Sequence, residues 1–307
     1  MDSMIYKRKW PLVIFLIPAF ALMTVFIFYP FLMNILNSFQ KVGSLGTGPV
    51  PVNEAGDMFW TGNYEKLFTD KTMGVAVRNT LLMMCATVIF QVGIALLLAL
   101  LVDSIRKGAQ TYRTIYFFPI VISASALGLL FNMVFLYDGG MLNEFLLRIG
   151  VIGRDELGNP QWIDWKDRSH AFFTMIVPVV WQYVGFYFVI LATGLNNVET
   201  DIYEAAAIDG ANGLQRIRFI TLPLIRNTLI TCLTLALIGA LKVFDLPWQM
   251  FPKGIPLNST YLTGTYMYQQ TFAMQNVGYG ATIAVVIALM GVAVSQLSNL
   301  IFRPRDI

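Results

Sequence analysis

Six apolar runs dominate what this chain can fold into: Leu12–Phe39, Thr80–Val102, Tyr116–Tyr137, Phe172–Leu195, Asn227–Phe244 and Gly280–Phe302. A helix that crosses a bilayer needs about 20 mostly apolar residues, and each run meets or approaches that length. Five contain no charged side chain, and the other contains only Lys242, near its end. Hydrocarbon offers no partner to a free backbone N–H or C=O, so such runs must close their hydrogen bonds internally. The expectation is an all-α polytopic membrane protein with six transmembrane helices. Charged residues make up only 13% of the chain, against roughly 25% in soluble domains.

The first run follows Lys7, Arg8 and Lys9, as a secretory signal would, but it is nearly twice the usual length of a signal's apolar core. It reads as a retained span. The chain then divides into a cytoplasmic leader (1–10), a single six-helix transmembrane domain (11–303) and a cytoplasmic tail (304–307). Charge sets the orientation. Eleven of the 21 basic residues fall on the short segments 1–10, 103–115, 196–226 and 303–307, while the much longer remaining loops hold nine. Basic residues concentrate on the cytoplasmic side, so both termini are expected inside a cell membrane. This topology accounts for the slight basic excess, and no nucleic-acid footprint is read from it.

Catalytic constellations are not apparent. His170 is the one histidine, placed in an outer loop, so no zinc set or Ser-His pair is available within the membrane. Cys85 and Cys232 lie in different spans and suggest neither disulfide nor metal. No phosphate-binding Gly-x-x-x-x-Gly-Lys-Ser/Thr pattern occurs, so any use of ATP falls to another chain. Ion-coupled carriers usually keep ionisable groups within spans, and only Lys242 stands there. Lys242 lies three residues before Asp245, which suggests either an interfacial ion pair or two groups lining a solute path. Asn132, Trp181, Gln182, Tyr183 and Tyr187 supply the amides and aromatic rings that a carbohydrate path would use, and equally serve helix packing.

One polar island remains, the loop 196–223. Thr200 is suited to cap a short helix whose first turn holds Asp201 and Glu204. Ala205, Ala206 and Ala207 favour helix and leave a face with little bulk. Gly210 is placed to end the helix in a left-handed conformation, and Asn212 to cap a second one that runs through Gln215 to Pro223. The island therefore reads as a helix-turn-helix along the inner membrane surface, with Glu204 free to meet a partner's arginine.

These residues carry a resemblance. Glu204-Ala205-Ala206, then Gly210, then Ile220-Thr221-Leu222-Pro223, is similar to the cytoplasmic signature of the permeases of binding-protein-dependent ABC importers. Asn63-Tyr64, Asn79-Thr80, Phe118-Pro119, Gly140, Asn143, Trp181, Gly185 and Gly278-Tyr279-Gly280-Ala281 resemble the carbohydrate-uptake branch related to the maltose transporter. The resemblance implies a type I importer permease that forms half of a path for a sugar or oligosaccharide and is not itself an enzyme. It further implies a second homologous permease, two ATPase subunits that bind ATP and Mg, and an extracytoplasmic solute-binding protein. Glu204, Ala205, Ala206, Asp209, Gly210 and Pro223 would form the ATPase-coupling element. A permease for another small polar solute, such as a glycerol phosphate, and an ion-coupled secondary carrier are the alternatives. Three departures stand out: Glu199-Thr200 where proline is usual, Ile217-Arg218-Phe219 where an aromatic residue is displaced, and Phe251-Pro252-Lys253-Gly254 in place of a glycine pair. Apolar Ala236, Ala240 and Val243 align with the branch's polar sugar contacts, so no sugar-contact residue carries over.

Overall fold

The structure is a computed structural model that describes residues 10–52, 57–105 and 108–301. The leader's Lys7, Arg8 and Lys9, the basic pair Arg106-Lys107 and the tail lie outside the described residues. In chain order, α1 is Trp10–Met23 continued through a π-helical turn to Tyr29–Ser38. Then come α2 (Gly62–Thr69), α3 (Lys71–Asp103, with a π-helical turn at Thr87–Val92), α4 (Ala109–Val121), α5 (Ala124–Val134) and α6 (Met141–Arg148). They are followed by α7 (Ala171–Asn196), α8 (Thr200–Ile208), α9 (Gly213–Arg216), α10 (Arg226–Lys242), α11 (Asp245–Met250), α12 (Thr263–Tyr268) and α13 (Val277–Ile301).

Among the described residues, five stretches are long and apolar enough to span a membrane, and the pair α4–α5 makes a sixth if counted as one. That pair departs from expectation. The run Tyr116–Tyr137 fits one spanning helix, yet Pro119 lies near the end of α4, and α5 leaves at 94°. Ile122 and Ser123 are extended, and Ser123 Oγ accepts from the Ala126 N–H at 3.3 Å, which caps α5 as a new helix.

Two compact units are distinguished, residues 1–70 with 267–286, and residues 71–266 with 287–307. In the first, Asn63 is the hub. Its amide donates to Ser38 O at 3.1 Å and Gln40 O at 3.0 Å, while Tyr64 OH and Ser38 Oγ bond at 2.9 Å. Tyr279 OH donates to Asp70 Oδ2 at 2.8 Å, and the Lys66 ammonium sits 4.3 Å from the Tyr279 ring centre. A Cβ on Gly278 would stand 2.4 Å from Gln40 O, so the backbones approach as only glycine allows.

The second unit holds two apolar cores. One gathers Met83, Leu127, Met175, Val179 and Leu262, and the other Ala95, Phe188, Leu191, Cys232 and Ala236. α7 runs through both, which explains why so much of its length is buried. A Cβ on Gly185 would fall on the Tyr116 carbonyl of α4, so this glycine permits the α4–α7 contact. Loop carbonyls are tied down by asparagines. Asn79 donates to Ser259 O at 2.6 Å and Tyr261 O at 3.0 Å. Asn143, fully buried, donates to Tyr137 O and Ile163 O and accepts from Trp165 Nε1 at 2.9 Å. Trp165 is thereby part of the loop's interior packing. His170 Nδ1 and Asp167 Oδ1 lie 2.7 Å apart. Backbone donation from His170 lowers the Asp167 carboxyl below its usual range.

Candidate functional site

The polar island forms the helix-turn-helix its residues suggested, with two local differences. Thr200 is the first helical residue, and extended Glu199 (ψ 133°) precedes it without a side-chain cap. Ala206 is buried against the chain itself, while Thr200, Asp201, Ile202, Glu204, Ala205, Ala207 and Ile208 are exposed on α8. The turn after α8 closes as a paired C-cap. Gly210 has φ +78°, its N–H reaches Ala207 O at 3.2 Å, and the Ala211 N–H reaches Ala206 O at 2.9 Å. A reciprocal box then opens α9: Gln215 N donates to Asn212 Oδ1 at 2.9 Å, and Asn212 N to Gln215 Oε1 at 2.8 Å. Asp209 lies between the two as the last residue of the α8 turn.

The second half departs from a single helix into Pro223. After α9 come a π-helical turn, Ile217–Thr221, and a short turn, Leu222–Leu224, that contains Pro223. The next long helix starts at Arg226 rather than at Pro223. Tyr203 OH and Thr221 Oγ1 bond at 3.2 Å, and the Arg216 guanidinium lies 5.6 Å from the Tyr203 ring, so the two halves are clipped together.

Among the path candidates, the fold brings five of seven together. Gln182, Tyr183, Tyr187, Lys242 and Asp245 all line one cavity of about 200 Å³ in the second unit. The other two lie elsewhere. Asn132 accepts from Lys166 Nζ at 2.6 Å, and burial pushes that ammonium below its ordinary range. Trp181 packs edge-on to Phe131 and faces a separate apolar groove. The expected Lys242–Asp245 ion pair does not form among the described residues. Its i,i+3 geometry needs a continuous helix, but α10 ends at Lys242 and Val243 (ψ 120°) and Phe244 (φ −140°) break the chain before α11. Both charges instead line the cavity, unpaired.

Sequence reading missed Thr87 and Gln91, which also line this cavity. Gln91 is 3% exposed and donates to Val179 O at 2.8 Å. The signal was present, because Gln91 is the one amide in the run Thr80–Val102. Ala236, Ala240 and Val243 form part of the same wall, which makes it smooth where a polar lining was the branch's pattern.

Residues 91–305 match the family described as binding-protein-dependent transport system inner membrane component. The chain belongs to that family. It is 32% identical over 296 residues to the lactose transport system permease protein LacF of Rhizobium radiobacter, covering 95% of this chain and 94% of that one. To the arabinooligosaccharides transport system permease protein AraP of Bacillus subtilis (strain 168) it is 29% identical, with 96% and 90% covered. Its fold matches a chain of a bacterial ABC transporter involved in import of the acidic polysaccharide alginate, with a TM-score of 0.82, 20% identity, and 97% and 96% covered. The chain is thus a membrane-embedded transport component with the fold of a type I ABC importer permease. The helix-turn-helix lies within the matched residues, as does the cavity lining apart from Thr87.

Proposed function

We propose that this chain is the permease of a binding-protein-dependent ABC importer for a sugar or oligosaccharide. It forms half of the translocation path beside a second, homologous permease. An extracytoplasmic solute-binding protein delivers the solute. Two ATPase subunits, which carry ATP and Mg, drive the cycle from the cytoplasm, where both termini also lie. The observation that carries this reading is the outward face of α8, with Glu204 and Ala205 exposed beside a Gly210-closed turn. That face lets another chain approach to backbone distance and offers one carboxylate for a charge-assisted bond. Sugar permeases that resemble the chain over nearly its full length support the solute class.

The solute would pass the cavity at the α10–α11 break, where Tyr183, Gln182, Lys242 and Asp245 offer a ring face and hydrogen-bonding groups. Unwound backbone is tolerated at membrane depth where it lines such a space. The test is uptake into proteoliposomes that contain the assembled transporter and its binding protein. Glu204→Ala and Gly210→Val are expected to abolish uptake and binding-protein-stimulated ATP hydrolysis while the chain still inserts. Undiminished uptake in both variants would sink the coupling assignment. Flux driven by an ion gradient in vesicles holding this chain alone would favour a carrier instead.

A further inference from the structure

A second site lies away from the translocation cavity. Lys71, Arg78 and Arg168 converge on a cavity of about 430 Å³ whose lining includes no carboxylate. None of the three forms an ion pair among the described residues. The acid nearest to Arg168 in sequence, Asp167, is turned back onto Ser169 and His170, whose N–H, hydroxyl and ring nitrogen it engages. Three like charges around one space repel one another unless an anion fills it.

The cavity does not end at the cations. Leu82, Phe172 and Phe173 line it and also line a neighbouring apolar groove of about 1070 Å³. Both flanking helices show the same order of chemistry. On α3, Lys71, Val75, Arg78, Leu82, Cys85 and Ile89 recur at helical spacing along one face, with cations first and apolar groups after. On the α7 side, Arg168 is followed by Phe172, Phe173, Ile176 and Val180. A cationic mouth that opens into an apolar groove along spanning helices matches an amphiphile with an anionic head and hydrocarbon chains.

We propose that the chain holds one anionic phospholipid here, its phosphate among Lys71, Arg78 and Arg168 and its acyl chains in the groove past Leu82, Cys85 and Ile89. An acidic protein surface would satisfy the cations but leave the groove unexplained. A free phosphate ester would do the same. Juxtamembrane cations attract anionic headgroups, and acyl chains gain by burial in an apolar groove, so head and tail together select one lipid class.

The experiment uses the full chain, purified from bilayers of equal phosphatidylglycerol and phosphatidylcholine, with retained lipid read by native mass spectrometry. Retention of phosphatidylglycerol over phosphatidylcholine by about tenfold is expected, equivalent to about 1.4 kcal/mol. K71Q/R78Q/R168Q should bring that ratio to about one, and C85W, which fills the groove, should lower retention of both lipids. R78Q and R168Q alone give partial losses if the triple variant does not fold. Soluble glycerol phosphate should not displace the lipid. Equal retention of the two lipids by the unaltered chain, an unchanged ratio in the folded cation variants, unchanged retention in C85W, or displacement by glycerol phosphate would each overturn the proposal.

Discussion

Buried asparagines do at the residue scale what regular structure does elsewhere. Asn63, Asn79 and Asn143 are each buried, and each donates to at least two carbonyls in loops or at a helix end. A buried polar group left unpaired costs about 1–3 kcal/mol. Asn143→Ala strands Tyr137 O, Ile163 O and Trp165 Nε1 at once, so a loss of about 3–5 kcal/mol is expected. Thermal unfolding in detergent measures it, and a shift no larger than that of an exposed control such as Asn159→Ala would refute it. Asp167 makes a pH-dependent prediction in the same loop. Its carboxyl is lowered in the folded chain, so its contribution is present above the unfolded value and lost as pH falls through the folded one. Asp167→Asn should therefore remove part of the loop's acid sensitivity, read as amide exchange at Ser169 and His170.

Among the elements, the close pair is α4 and α7, and Gly185 is its condition. A side chain there meets the Tyr116 carbonyl directly, and no rotamer relieves a clash with backbone. Gly185→Leu is expected to force α4 and α7 apart and lower the unfolding temperature by several degrees, whereas a Cβ at Gly93 on α3 meets nothing within 4 Å, so Gly93→Ala serves as the control. Single helices were legible from composition, because long uncharged runs have few alternatives in a bilayer. Their breaks were not. The α4–α5 bend sits at Ile122-Ser123, two residues that also fit a continuous helix, and tertiary contacts of α5 with α11 decide between the two. The turn between α8 and α9 was legible for the opposite reason: Gly210 and the Asn212/Gln215 box specify their geometry locally. At Thr200 the cap expectation failed by one residue, since Glu199 already adopts the extended backbone that opens the helix. Gln91 was overlooked because an apolar run was scored as a whole, although a lone amide within it needs a buried partner.

For the molecule as a whole, the central question is how an almost uncharged set of helices handles a hydrophilic solute. The apolar window of α1 has no residue buried within the chain, and most spans show apolar side chains outward, as lipid or a partner requires. Among the described residues, Lys242 and Asp245 bring charge to the cavity at the α10–α11 break, where they line it without pairing. Unpaired, each needs water or solute hydroxyls. A sugar can bridge them, donating to the carboxylate and accepting from the ammonium in the same pose. Two groups that hold one solute in one pose do not act independently, so their deletions should not add. Lys242→Met and Asp245→Asn are each expected to reduce uptake about tenfold, roughly 1.4 kcal/mol, with the loss in KM more than in maximal rate. The double variant should lie near either single one, within about threefold. Initial uptake rates in proteoliposomes across a range of solute concentrations give all four corners of the cycle. Additive losses near a hundredfold would mean that the two groups act separately, and no loss in either would remove this cavity from the path.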